Sequence, residues 1–321
     1  MVRVEQVNPC EFPDSASQVL EESWPAPHVR YTPQYLRWQF TFPGPLPSLG
    51  VAAFEGEEPV AFGAATPRRA RFRGHGAPVY IVSFVSVRPA WRGRGVAGAI
   101  YAELLRHIRQ TDSAVVTFAE TGSAGQRRLL AAYDAAGFHV RALGEYPVYG
   151  FVVPADAPAS GSDVECTLQL DRLLPLIGAA DDSATIRHDP DDAALRHYAA
   201  DPRSRRAVLL RSSDGAQAGA MTVRPEMVLR GGIDVATVVE SPYLPRPSAD
   251  LVRDLFISAA REVESRATPA IVTAPNLAGI EPEVLRSAGL RRTRSVFTGY
   301  ACAPAASHPF LQADSADFEV M

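Results

Sequence analysis

Arg92, Gly93, Arg94 and Gly95 stand in the stretch PAWRGRGVAGAIYAELLRHIRQ, residues 89–110, where strand-like sequence gives way to helix-like sequence. A helix N-terminus presents unpaired backbone N–H groups and the positive end of the helix dipole. Glycines at such a turn let a ligand approach bare backbone and tolerate φ values that other residues avoid. The two arginines add positive charge beside those donors, and the chemistry this spacing predicts is a cradle for phosphate or pyrophosphate. Two common nucleotide-binding readings fit poorly. No lysine follows the glycines, as a kinase-type phosphate loop requires. The glycines also follow arginine and lie mid-domain rather than after a first strand, against a dinucleotide fold. Taken alone, an Arg–Gly turn that binds nothing is an equally ordinary reading.

The other reactive side chains are scattered. Three cysteines, Cys10, Cys166 and Cys302, lie far apart, and seven histidines are dispersed without a ligand spacing such as HExxH. The sequence therefore predicts neither a disulfide framework nor a metal site. With a formal net charge of -4 the chain lacks the basic excess of a nucleic-acid binder. No apolar run is long enough to span a membrane, and the first residues carry no apolar leader. A composition of 46% hydrophobic and 21% charged residues describes a globular protein with sizeable cores, expected in the cytoplasm.

The elements that must position the turn can be read on either side of it. LGVAAFEG (49–56) and PVAFGAATP (59–67) read as paired strands, and RRARFRGHG (68–76) as a basic connection. VYIVSFVSV (79–87) is almost continuously apolar, as a central strand would be. After the turn the period changes: Val96, Ile100, Leu104 and Ile108 recur every four residues, with Tyr101 and Leu105 widening the stripe into one helix face. SAVVTFAE (113–120) is a further strand, 125–138 a helix ended by Gly137, and VYGFVV (148–153) a closing strand. The Pro-, Ala-, Ser- and Gly-rich run at 154–163 reads as a linker.

The second half repeats this order. A strand at 231–241, a helix at 249–265, a strand at 268–276 and a helix at 282–290 echo the first half. Where the first copy has WRGRGVA, the second has YLPRPSA, whose prolines remove backbone N–H groups.

VSVRPAWRGRGVAGAIYAELL resembles the acyl-CoA-binding signature of the GCN5-related N-acetyltransferase (GNAT) superfamily, with Arg92, Gly95 and Ala97 at its patterned places. The resemblance covers residues 1–153 and extends more faintly over 175–304. It implies an α/β fold of two tandem GNAT-like domains, each a mixed, mostly antiparallel central sheet flanked by helices. The expected division is a catalytic domain at 1–153, a linker at 154–163, a degenerate domain at 164–306 and a tail at 307–321. By the resemblance, Gly93, Arg94, Gly95, Val96 and Ala97 hold the CoA pyrophosphate, and the backbone of Phe84, Val85 and Val87 pairs with the pantetheine arm.

The same resemblance implies that Tyr133, four residues before Gly137, protonates the departing thiolate; a buried packing role is the alternative. Leu285 occupies the equivalent place in the second half. Two departures stand out. Gln126 stands where the family has a cofactor-placing asparagine and is expected to help bind the cofactor with the same amide on a longer arm, and the strand 79–87 lacks the family's glutamate. Glu120 is then the nearest carboxylate by topology, ahead of His75, and the base is left open. Trp24, Tyr31, Tyr35, Trp38, Phe40 and Phe42 could wall an acceptor pocket or pack as core. Glu21 and Glu22 could attract a cationic amine or simply be solvated at a helix end, and Arg68, Arg69, Arg71 and Arg73 could steer the CoA phosphates or an acidic acceptor.

The function expected is an acyl-CoA-dependent N-acyltransferase, using acetyl-CoA or another acyl-CoA on a primary amine of a small molecule or amino acid. The alternatives are a catalytically silent CoA-binding sensor or scaffold, and an acyltransferase using a carrier-protein thioester. No metal, nucleic acid or membrane partner is expected, and a homodimer is left open.

Overall fold

The computed structural model describes residues 2–153, 163–167, 169–173, 185–211, 217–243, 248–261, 270–275 and 280–317. The first half contains β1 (Arg3–Val7), α1 (Pro13–Ser23), β2 (His28–Val29), α2 (Pro33–Phe40), β3 (Leu49–Glu55), β4 (Glu58–Phe72), β5 (His75–Val87), α3 (Val96–Gln110), β6 (Ala114–Glu120), α4 (Ala124–Ala135) and β7 (His139–Val153). The second contains β8 (Asp163–Thr167), β9 (Thr185–His188), α5 (Asp192–Ala199), β10 (Arg206–Arg211), β11 (Gln217–Val223), β12 (Glu226–Leu229), β13 (Gly232–Val235), β14 (Thr237–Tyr243), α6 (Ala249–Arg261), β15 (Ala270–Pro275), α7 (Pro282–Ser287), β16 (Arg291–Ala303) and β17 (Ser315–Asp317). Among the described residues no helix is long and apolar enough to cross a membrane.

The chain forms two compact units that are interleaved in sequence. Unit 1 comprises Met1–Glu145, Ser183–Ala194 and Phe297–Ala316; unit 2 comprises Tyr146–Asp182, Leu195–Val296 and Asp317–Met321. In unit 1 the strands run β1-β3-β4-β5-β6-β16, antiparallel except for the parallel pair β5 and β6. In unit 2 they run β8-β10-β11-β14-β15-β7, antiparallel except for the parallel pair β14 and β15. The orders match position for position, save that each unit takes its last strand from the other half of the sequence. Residues Phe297–Cys302 pair with Glu120–Val115 in unit 1, and Val148–Val153 pair with Pro275–Ala270 in unit 2.

In unit 1 the predicted stripe of α3 is the buried face: Ile100, Leu104, Leu105 and Ile108 are fully enclosed against β3, β4 and β5. Burying each such side chain stabilises the fold by about 1.5–3 kcal/mol. The contact demands a glycine opposite. A Cβ on Gly63 would lie 2.6 Å from Ile100 Cγ2, closer than packed atoms allow. In unit 2 the same arrangement recurs, with Val252, Leu255, Phe256 and Ala259 of α6 packed on Val208, Leu210, Ala220 and Val239.

Several local expectations change. Residues 68–76 are no loose connection: β4 continues to Phe72, the chain turns at Arg73 and Gly74, and β5 starts at His75. Arg69 and Arg71 point outward while Ala70 and Phe72 point inward, so the strand period is present but hidden under charge. Residues 231–241 break into β13 and β14 on either side of Ala236. The strand read at 148–153 is the end of a strand that begins at His139, and from Tyr146 onward it belongs to unit 2. The stretch read as a tail includes a 3-10 turn at Pro309–Gln312 that buries Phe310, followed by β17. Of the linker read at 154–163, all but Asp163 lies outside the described residues, as do 244–247 of YLPRPSA and 262–265 of the second helix.

Candidate functional site

The site forms where β5 and β6 part. Their parallel pairing runs from Val79–Ala114 to Ile81–Val116, and the Thr117 hydroxyl then donates to Val82 O at 3.3 Å. Beyond that point the outer edges stay paired, β5 to β4 as far as Val87–Ala61 and β6 to β16 as far as Glu120–Phe297. A wedge opens between them.

A β-bulge sits on its β5 side. Ser83 faces Ala64 and Ser86 faces Phe62, so Phe84 and Val85 together oppose Gly63. Phe84 has φ +63, in the left-handed region that a bulky residue rarely enters. The extra residue of a bulge loses its ladder partners, which leaves backbone polar groups free at this point.

The Arg–Gly turn closes the wide end. After a 3-10 turn at Pro89–Trp91 the chain passes through Gly93 (φ +77) and Gly95 (φ +79) into α3. A side chain at either glycine would meet nothing within 4 Å, so the requirement is conformational rather than steric. Gly95 caps α3 in a left-handed conformation, no side chain caps the helix, and the first helical bond is Ala99 N to Gly95 O at 3.1 Å. The N–H groups that follow Gly95 form the positive end of a 15-residue helix.

The two arginines divide their labour. The Arg94 guanidinium lies over the Trp91 ring, 4.8 Å from its centroid. Arg92 turns inward: its Nε donates to Val87 O at 3.2 Å and its Nη2 to Ser23 O. It therefore braces the turn against the end of α1. Arg88, which the sequence reading passed over, adds a second brace. It is nearly buried, with Nε 2.9 Å from Glu22 Oε2 and Nη1 bonded to Glu58. Trp24, 44% exposed, donates from Nε1 to Ser86 Oγ at 2.7 Å and so covers one flank of β5.

Tyr133 is fully buried in the core beneath α3, edge-on to Phe138 at 5.6 Å. Its hydroxyl is shielded from solvent and makes no hydrogen bond of ordinary geometry. Burial, seconded by Cys302 and Tyr101 nearby, pushes the phenol well above its usual range, against a small opposing pull from the Thr117 hydroxyl. Glu120 ends β6 as an exposed side chain. Gln126, at the start of α4, accepts from Gly122 N at 2.7 Å and donates to Thr298 Oγ1 at 3.1 Å and Tyr300 Oη at 2.7 Å. His28, between α1 and α2, has both ring nitrogens shielded and without a hydrogen-bond partner among the described residues; no pattern in the sequence marks it.

The dense aromatics of 24–42 are largely core. Tyr35, Trp38, Phe40 and Phe42 are buried, and Arg68, itself buried, lies over the Phe42 ring at 3.8 Å while donating to Gln39 Oε1 at 3.0 Å. Of the hairpin arginines, Arg69 and Arg71 reach Asp189 at 3.9 and 2.7 Å. Among the described residues no group of three or more His, Cys, Asp or Glu could hold a metal ion.

A parallel pair that splays beside a strand bulge, with a glycine turn entering a helix at its mouth, is the arrangement of the GNAT fold. Residues 14–138 match the sequence model of the acetyltransferase (GNAT) family. By structure the chain is similar to Saccharomyces cerevisiae N-myristoyltransferase with bound myristoyl-CoA, at 12% identity and a TM-score of 0.69, over 95% of this chain and 84% of that one. It is also similar to a GCN5-related N-acetyltransferase from Anabaena variabilis, at 15% identity and a TM-score of 0.54, over 93% and 72% of the two chains. A conserved Enterococcus faecalis protein of unknown function, described as a probable N-acyltransferase, matches at 11% identity and a TM-score of 0.53, with the same coverage of 93% and 72%. These similarities establish the fold as a tandem of GNAT-like units. No curated protein matches in sequence.

Proposed function

We propose that the chain is an acyl-CoA-dependent N-acyltransferase with one working site, in unit 1, that acts on a primary amine of a small molecule or amino acid. The observation that carries this reading is the wedge between β5 and β6, closed by the uncapped N-terminus of α3. The residues present fit a CoA thioester: free donors follow Gly95, the bulge at Phe84 frees backbone groups, and Tyr133 offers a buried hydroxyl in need of a partner. When bound, the thioester supplies an activated acyl carbon.

The roles proposed for this chain's residues follow. Gly93 to Ala97 would hold the pyrophosphate, with Arg94 beside it and Arg92 fixing the shape of the turn. The backbone of Phe84, Val85 and Val87 would hold the pantetheine arm, and N–H groups freed at the bulge would face the carbonyl oxygen as it gains charge. Tyr133 would hold a proton for the departing sulfur. Its raised pKa keeps the phenol neutral at working pH, a requirement for a donor. Glu120 is the carboxylate proposed to take a proton from the amine. Gln126 would act by fixing the start of α4.

Unit 2 is proposed as a degenerate copy without a cofactor. Pro245 and Pro247 stand where the first copy has its glycine turn. Glu240, on β14, the counterpart of β5, is spent on the fully buried Arg205, 2.6 Å from its Nη1, and Arg205 Nε also meets Asp201 at 3.1 Å. Charge and hydropathy support a cytoplasmic protein without nucleic-acid or membrane partners.

Native mass spectrometry with acetyl-CoA tests the reading. One CoA per chain, lost in Gly95→Pro, supports it; no binding by the wild type overturns it. A second reading, a CoA-binding protein without transfer activity, is favoured by the lack of a carboxylate on β5. Thiol release that depends on an added amine separates the two.

A further inference from the structure

We infer that the site is built for a short acyl group, because both faces of β5 at the bulge are already filled. This rests on the CoA reading above. A chain attached at the bulge could extend toward α3 or toward the opposite face.

The α3 face is largely filled, with Val87 buried and Val85 partly so. Val85 and Val87 turn that way and pack with Val96, Ile100 and Leu104, and the helix lies so near the sheet that only glycine fits at position 63. The opposite face is closed by three rings. Phe84, 8% exposed, meets Tyr31 edge-on at 5.3 Å and Phe40 at 5.9 Å. Behind them Phe40 packs on the fully buried Phe62 at 5.8 Å, and Tyr31 stacks on Tyr35 at 6.1 Å. Interiors packed at this density have no slack for added methylenes without displacing a ring. Phe84 is also fixed in a left-handed backbone, so its ring cannot be re-aimed without remaking the bulge. The rings of Tyr31, Phe40 and Phe84 are thus the stop that sets donor chain length.

The test is a titration of the full-length protein with free CoA, acetyl-, butyryl-, octanoyl- and myristoyl-CoA, followed by calorimetry. Free CoA, acetyl-CoA and butyryl-CoA should bind within about threefold of one another, and octanoyl-CoA at least ~10-fold more weakly. Tyr31→Ala, at the half-buried edge of the cluster, should recover octanoyl-CoA binding by ~10-fold and leave free CoA unchanged. Phe40→Leu, a milder change inside the core, should shift the ladder the same way to a smaller extent. Wild-type binding of myristoyl-CoA as tight as that of acetyl-CoA overturns the inference. So does a ladder that neither variant moves. Failure to bind free CoA instead overturns the CoA reading itself, and is told apart by that single titration.

Discussion

Gln126 Nε2 donates to the Tyr300 hydroxyl at 2.7 Å, linking residues 174 apart in sequence within unit 1. With the bonds to Thr298 and Gly122 N, this amide fastens the start of α4 to β16. Gln126→Leu should therefore cost about 1–3 kcal/mol in urea unfolding, the range for losing such bonds in a partly buried place. The folded fraction should bind CoA within about threefold of wild type. A much larger loss of affinity would instead give Gln126 a direct contact with the cofactor.

Tyr133 is the position where activity and stability should part. In Tyr133→Phe the unpartnered hydroxyl disappears without disturbing the ring packing on Phe138. Thermal stability should stay equal or rise, while turnover falls by about 10²–10⁴-fold, the contribution of a positioned proton donor. A variant that turns over normally would leave Tyr133 as core alone.

The fold should weaken in alkali. Burial raises the phenols of Tyr80 and Tyr101 to about 12, and it raises Tyr133 and the Cys302 thiol as well. Above about pH 9–10 the unfolded chain loses protons from these groups while the folded chain keeps them. The unfolded state then binds fewer protons, so stability is full below that range and declines as pH rises toward the folded values. Melting curves from pH 7 to 11 should show Tm falling above about pH 9. Tyr133→Phe should flatten that fall, and an unchanged slope would mean the group is not sealed.

A chain ending at Val153 should not fold into a stable unit 1. It lacks β16, so the edge of β6 from Val115 to Glu120 is left unpaired, and an open apolar edge invites association. Sedimentation should show soluble aggregates or inclusion material. A monomeric, cooperatively melting fragment would contradict this.

Much of the site was legible because its signals are local. The stripe Val96, Ile100, Leu104, Ile108 and the glycines of the turn each report a conformation fixed by neighbouring residues. What could not be read depends on distant partners. Arg92 looks like a ligand arginine, yet its Nη2 goes to Ser23 O, and nothing near Arg92 in the sequence says so. Phe84 carries no mark of its left-handed φ; the available hint was Gly63 on the facing strand. The alternation of β4 beyond Pro67 was masked by arginines on its outer face. The exchange of β7 and β16 left no trace, since either strand has the same pattern whichever sheet receives it.

That exchange also sets the timetable of synthesis. Once the ribosome has made β6, another 177 residues separate Glu120 from its partner Phe297 (297 − 120). At ~5–20 residues per second the wait is roughly 10–35 s, during which β6 has no neighbour on that side. Unit 1 is begun first and finished almost last, so the nascent chain, rather than the folded protein, is where a chaperone has most to protect.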